Sequence, residues 1–263
     1  MTCINCQQEA TGAYCSHCGQ RTAIKRLTFR EGWNDFWSRI YGFDGMFPRT
    51  IKDLTIRPGT TVLRYIEGNR VRYYGPVGYF FLMVTLFVLV LSALEVDWAT
   101  FIQEKQGEMA LQGESTKASQ RMVRLVTENI KLVLFMGVPF QALASRFVFF
   151  RKSGYLFLEH IVLPFYVSGH LLWISILMVV YQKLLGAWPS LWVSVVSPLF
   201  FGFAYMGLFR ERKKVVTFLK GIGVFYLGQV FFVIAFMVIV VVAILVLANI
   251  NPDAIRDFRP SAR

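Results

Sequence analysis

Val230-Phe231-Phe232-Val233-Ile234-Ala235-Phe236-Met237-Val238-Ile239-Val240-Val241-Val242-Ala243-Ile244-Leu245-Val246-Leu247-Ala248 is an unbroken apolar run, with Gln229 as the one polar residue at its start. About 20 such residues cross the hydrocarbon core of a bilayer as a helix, so this stretch reads as a lipid-facing anchor. Working outward, four more apolar runs precede it. The spans are placed at 76–95, 130–150, 156–182, 187–209 and 221–249. The chain of 263 residues is 55% hydrophobic with a mean hydropathy of +0.48, above the roughly 45–50% apolar content of soluble domains. The expected fold class is an all-α integral membrane protein with about five transmembrane helices. The short link between the second and third spans also allows one of them to be re-entrant.

The formal net charge is +12. The basic residues flank the apolar runs, as the positive-inside rule requires, so a nucleic-acid partner is not expected. Arg146, Arg151 and Lys152 separate spans two and three, and Arg210, Arg212, Lys213, Lys214 and Lys220 separate spans four and five. The 96–129 loop is acidic-leaning, with Asp97, Glu104, Glu108, Glu114 and Glu128. This bias puts the N-terminus in the cytoplasm and the C-terminus in the periplasm. The amino end also lacks the charged-then-apolar pattern of a signal peptide.

Cys3-Ile4-Asn5-Cys6 and Cys15-Ser16-His17-Cys18 hold all four cysteines of the chain. The C-x2-C-x8-C-x2-C spacing lets two knuckles present four thiolates to one ion. A closed tetrahedral Zn²⁺ site is the expected structural cofactor, in a zinc-ribbon-like segment at 1–22. Gly12 and Gly19 suit the tight turns it needs, and His17 is a competing ligand. Sulfur ligands alone also admit iron, and a disulfide pair or redox thiols are the other readings. A reducing cytoplasm argues against the disulfides, and the lack of a βαβ pattern argues against redox thiols. A segment this short buries no core, so the metal would supply its folding energy.

A linker over 23–75 follows, and the first 75 residues carry eleven Lys/Arg against six acids. Thr28-Phe29-Arg30-Glu31 fits a capping box, and Phe29, Trp33, Phe36, Trp37 and Ile40 share one helical face. That predicts an interfacial amphipathic helix, lying in the headgroups or packed on the membrane domain. A second short helix is expected from about Thr60 to Glu67, stopped by Gly68. Arg64, Arg70 and Arg72, near Tyr73 and Tyr74, read either as contacts for anionic lipid headgroups or as charges that set topology. A tail follows the membrane domain (76–249) at 250–263.

Span three carries Glu159, His160, Tyr166 and His170. At 100° per residue, positions 166 and 170 each fall within about 20° of position 159. Ionisable groups inside a bilayer are functional candidates: a proton relay, a substrate contact or a metal ligand set. The competing reading sets Glu159 and His160 among the headgroups, paired with Arg151 or Lys152, and His170 on a backbone carbonyl. Gln141 and Gln229 read as hydrogen-bonding glue between helices.

The succession of CxxC…CxxCGQ, Phe43-Asp44-Gly45, Thr50-Ile51-Lys52-Asp53-Leu54, Arg57-Pro58-Gly59, Tyr65-Ile66-Glu67-Gly68-Asn69-Arg70 and Tyr73-Tyr74-Gly75-Pro76 resembles a bacterial family of zinc-ribbon integral membrane proteins of unknown function. The resemblance covers about the first 95 residues, and Glu159-His160 is similar to the family's pattern as well. It implies a bacterial inner-membrane location and brings no activity with it. The expected function is a non-enzymatic membrane protein whose zinc-stabilised cytoplasmic segment docks a protein partner or anionic lipid. The alternative is a small-molecule or lipid transporter, or a membrane enzyme, working through the polar residues of span three.

Overall fold

The computed structural model describes residues 2, 3, 5–9, 11–18, 22, 45–96, 124, 126–186, 190–209 and 213–250. The capping-box helix expected from Thr28, the body of the 96–129 loop and the 251–263 tail lie outside the described residues. The chain divides into two compact units, Met1–Pro48 and Arg49–Arg263.

The larger unit is helical. Helices α1 (Met46–Ile56) and α2 (Pro58–Ile66) form a short hairpin ahead of α3 (Pro76–Ala93). Next come α4 (Ile130–Leu143), which runs on as a π-helical turn over Ala144–Phe149, then α5 (Phe157–Leu185), α6 (Ser190–Leu208) and α7 (Lys214–Ile250). Among the described residues there is no β-strand, only isolated bridge positions: Thr2 with Glu9, and Tyr14.

Local chemistry sets the ends of these helices. Pro58 and Pro76 occupy first-turn positions of α2 and α3, where a missing N–H costs nothing. Helix α2 stops in a Schellman arrangement. Gly68 takes φ +105°, the Asn69 amide donates to the Arg64 carbonyl at 2.9 Å, and the Gly68 amide donates to Tyr65 at 3.2 Å. The left-handed position favours glycine because a Cβ would crowd the carbonyl there. The expected helix over 60–67 is therefore present, beginning two residues earlier at Pro58.

Four helical stretches are long and apolar enough to cross a membrane: Pro76–Ala93, Ile130–Phe149, Phe157–Leu185 and Lys214–Val242. The chain is a multi-pass membrane protein by that measure. The expected fifth span, 187–209, is met by a shorter apolar stretch, Ser194–Leu208. That stretch belongs to the 19-residue helix α6, about 28 Å long at 1.5 Å per residue, close to a hydrocarbon core of about 30 Å.

The core of this unit is aromatic. Tyr79, Phe80, Met83, Val84, Phe87 and Leu91 of α3 are buried, as are Leu163, Tyr166, Leu172, Ile176 and Val179 of α5. Helices α2 and α6 touch backbone to backbone at Gly59 and Gly207, the close approach that small residues give membrane helices. Much of α7 stays exposed, including Val233, Met237 and Val241. That suits a helix whose outer face meets lipid.

Candidate functional site

In the N-terminal unit the four cysteines converge. Their sulfur atoms all lie within 4.8 Å of one another, with Cys3 and Cys18 at 3.6 Å and Cys6 and Cys15 at 3.5 Å. These spacings are too long for disulfides, whose S–S bond is about 2.05 Å. They match a tetrahedral shell: Zn–S bonds of about 2.3 Å put the sulfurs about 3.8 Å apart. The first knuckle closes on itself, the Gln7 amide donating to the Cys3 carbonyl and the Cys3 amide to the Gln8 carbonyl, both at 2.9 Å. Gln7 takes the left-handed position at φ +59°, whereas the tight turns were expected near Gly12 and Gly19. Gly12 does not adopt that conformation, and Gly19 is outside the described residues. Thr22 ties the second knuckle down, its amide to Ala13 at 3.0 Å and its hydroxyl to Gly12 at 2.7 Å.

The electrostatics of the knot suit a cation. The backbone amide of Gln8 pulls the Cys6 thiol down, but desolvation and the crowding of Cys18, Cys15 and Cys3 outweigh it and push Cys6 up to about 12. The amides of Cys18 and His17 hold Cys15 below its ordinary value. Four thiolates this close repel one another unless a metal neutralises them. His17 is exposed and stands outside the four-sulfur set.

In the membrane unit, the structure does not gather the polar residues of the third span into one site. Glu159 is spent on its own helix start: its carboxylate accepts from the Leu156 amide at 2.7 Å. His160 lies between two serines, Ser145 at 2.8 Å from Nδ1 and Ser153 at 3.0 Å from Nε2. The π-helical turn at 144–149 aims Ser145 at that ring. Tyr166 donates its hydroxyl to the Tyr74 carbonyl at 2.5 Å. His170 meets Tyr79 at 2.9 Å on Nδ1 and Thr55 at 3.1 Å on Nε2. The Thr55 hydroxyl already donates to the Ile51 carbonyl at 2.8 Å, so it accepts from His170. That fixes the tautomer: Nε2 carries the proton, and Nδ1 accepts from Tyr79. Tyr166 and His170 both lie against the Tyr79 ring, at centroid distances of 6.0 and 6.5 Å, while Glu159 and His160 stand apart. None of the four lines the cleft of about 140 Å³ bordered by Gln141, Ser168 and Gln229.

The hairpin carries a network that sequence reasoning missed. Asp53 is buried, accepting from Tyr73 at 3.0 Å and from Arg57 at 3.1 Å, with Arg72 at 4.0 Å. Desolvation would raise its pKa, but the Tyr73 and Arg57 hydrogen bonds and the charges of Arg57 and Arg72 win and hold the carboxyl below its usual range. The i, i+4 spacing of Asp53 and Arg57 was the available signal. The neighbouring Tyr73 hydroxyl raises Arg64 above its ordinary value. Arg70 lies over the Tyr65 ring at 5.9 Å and Arg72 over Tyr73 at 5.8 Å. Of the three arginines expected at the headgroups, Arg64 and Arg72 thus lie against the buried Tyr73 and Arg70 lies against Tyr65.

No curated protein and no solved structure matches the chain. A family described as "Protein of unknown function (DUF3667)" matches residues 44–88. The matched segment holds the Asp53–Tyr73 pair as well as Thr55, Gly59, Tyr74 and Tyr79, whose partners His170, Gly207 and Tyr166 lie outside it. The similarity to that family therefore rests on the hairpin and the first part of α3.

Proposed function

We propose that this chain is a non-enzymatic protein of a bacterial inner membrane, its amino end cytoplasmic and its carboxyl end periplasmic, whose zinc-bound N-terminal knot docks a protein partner. The observation that carries the reading is the set of four cysteine sulfurs within 4.8 Å of one another. Such a closed sulfur shell stabilises a fold and leaves no open position for chemistry. Zinc is the metal of choice because no redox role is evident around the knot and zinc prefers tetrahedral sulfur. The exposed Tyr14 beside the knot gives a partner an aromatic contact. Residues 1–22 carry only Glu9 and Arg21 as charged side chains, so the knot itself has no excess charge to draw it onto anionic lipid. That role falls to Arg64, Arg70 and Arg72, in the segment 45–75 where six Lys/Arg outnumber two acids.

The transporter or enzyme reading loses support because Glu159, His160, Tyr166 and His170 are each hydrogen-bonded to other residues of the chain and none of them lines the cleft. A photo-crosslinker placed at Tyr14 in the full-length protein in cells tests the docking reading. The expected result is a discrete protein adduct that disappears in Cys15→Ser. An adduct pattern indifferent to Cys15→Ser, or adducts with lipid alone, would refute it.

A further inference from the structure

A narrow cleft opens between α3, α4, α5 and α7, with a volume of about 140 Å³. Its height can be read from α7. Lys220 is the last charged residue described on that helix, and Gln229 stands nine residues further, about 13 Å along the axis. An apolar helix continues from there through Val242. Gly228 packs directly on the backbone of Gln141, so Gln141 and Gln229 stand at the same height, inside the hydrocarbon layer.

Three polar side chains meet in this cleft. Gln141 is 4% exposed, and its carbonyl oxygen accepts from Ser168 at 3.3 Å. Its amide nitrogen has no hydrogen-bond partner among the described residues, and neither does the Gln229 carboxamide, which is exposed at the cleft's mouth. An unsatisfied amide surrounded by hydrocarbon costs several kcal/mol. The histidines of the same unit are bonded at both nitrogens, so two open carboxamides lining one cleft call for a ligand. The rest of the lining is apolar and partly aromatic, with Phe80, Leu172 and Phe232.

The geometry points to a binding site for a lipid-soluble quinone, its ring lying against Phe80 and Phe232 and its carbonyl oxygens accepting from the amides of Gln141 and Gln229. Size agrees, since an apolar cavity of about 150 Å³ admits one six-membered ring. Chemistry agrees too. Acyl chains carry no acceptor at this height, whereas a quinone dissolved in the bilayer brings two. The mouth at Gln229 faces the bilayer, which leaves a way out for the tail. Ser168 acts as a positioning residue, holding the Gln141 carbonyl so that its amide nitrogen faces the cleft. The site stands independently of the docking role of the metal knot.

The test uses full-length protein in nanodiscs, titrated with a decyl-substituted benzoquinone carrying ¹³C at its carbonyls, with decylbenzene as the control. Saturable binding is expected, with the carbonyl stretch shifted down by hydrogen bonding and no competition from decylbenzene. Gln141→Leu should weaken binding about tenfold, as expected for one hydrogen bond of about 1.4 kcal/mol, and should reverse part of the shift. Gln229→Leu lies at the exposed mouth, does not threaten the fold, and should weaken binding comparably. Equal competition by decylbenzene, an unshifted carbonyl band, or unchanged affinity in Gln229→Leu would overturn the proposal. So would a Gln229→Leu variant whose sole effect is to dissociate an oligomer, since the carboxamide would then belong to a second copy of the chain.

Discussion

Gly59→Ala is the sharpest test of how the hairpin is held. A Cβ added at Gly59 would lie 2.1 Å from the Ala204 carbonyl oxygen, 2.4 Å from the Leu208 nitrogen and 2.5 Å from the Gly207 carbonyl carbon. All three are backbone atoms of α6, so no side chain can turn aside. An ordinary contact begins near 3.4 Å, which asks α2 and α6 to part by more than 1 Å. Overpacking of this kind costs about 1–3 kcal/mol and sometimes more; with rigid backbone on both sides, about 3 kcal/mol is expected. For a chain of this size that lowers the melting temperature by about 6–12 °C. The measurement is thermal unfolding of the purified protein in one detergent, followed by far-ultraviolet circular dichroism. Two further variants calibrate it. At Gly207 the added Cβ meets the Gly59 Cα at 3.1 Å, so Gly207→Ala should cost less. At Gly137, inside α4, nothing lies within 4 Å, and alanine should be neutral or stabilising by about 0.5–1 kcal/mol. The order Gly59, Gly207, Gly137 is the prediction. A Gly59→Ala protein that melts with Gly137→Ala would refute the packing of α2 on α6.

Purified protein should carry one zinc per chain by elemental analysis, falling to near nothing in Cys3→Ser and Cys15→Ser; full metal retention in either would refute the four-sulfur knot. Asp53 gives a pH dependence of known sign. Its folded-state pKa is depressed, so its contribution is complete above the ordinary carboxylate value of about 3.9 and is lost as pH falls through its lower folded value. Asp53→Asn should therefore cost about 1–3 kcal/mol at neutral pH, discounted because Arg57 and Arg72 are about half exposed, and the gap to wild type should close in acid melts. Tyr79→Phe takes the donor from a buried His170 nitrogen and should cost about 1–3 kcal/mol. A double cycle with Thr55→Val should show coupling above about 0.5 kcal/mol; strict additivity would sink the assigned tautomer.

The parts of this protein that sequence made legible are those governed by short-range rules. Two CxxC knuckles state their own geometry, because four sulfurs at fixed spacing have few ways to meet. Apolar runs such as 230–248 announce spans by length alone, and Gly68 announces the end of α2. The stripe of Glu159, Tyr166 and His170 said less, because angular position on an ideal helix says which residues share a face, not what each one bonds. Glu159 found the nearest orphan amide, at Leu156, three residues away. Tyr166 and His170 found partners about ninety residues or more distant in the chain, at Tyr74, Tyr79 and Thr55. Helical periodicity cannot name such partners, since they depend on which helices become neighbours. The π-helical turn that presents Ser145 to His160 had no sequence signal either.

Pairing separates structural polarity from functional polarity inside this helical unit. A polar group that leaves water must recover its hydrogen bonds within the protein or hold them for something else. His160 and His170 recover theirs completely, at both nitrogens, from serine, threonine and tyrosine side chains on other segments. Asp53 recovers its own from Tyr73 and Arg57. Those residues fasten the hairpin and the spans to each other, and replacing them should register as lost stability. Gln141 and Gln229 are different: one is buried, the other stands at a cleft mouth, and each keeps hydrogen-bonding capacity that no described neighbour takes up. Converting Gln229 to leucine should leave stability nearly unchanged or raise it, because the change removes an unpaired amide from an apolar layer, whereas Gln141→Leu also takes the acceptor from Ser168 and offsets part of that gain. Trp173, Gln182 and Tyr205 also bury one unpaired polar atom each, but none of them lines the cleft, and it is the placement of Gln141 and Gln229 on it that assigns their amides to a ligand.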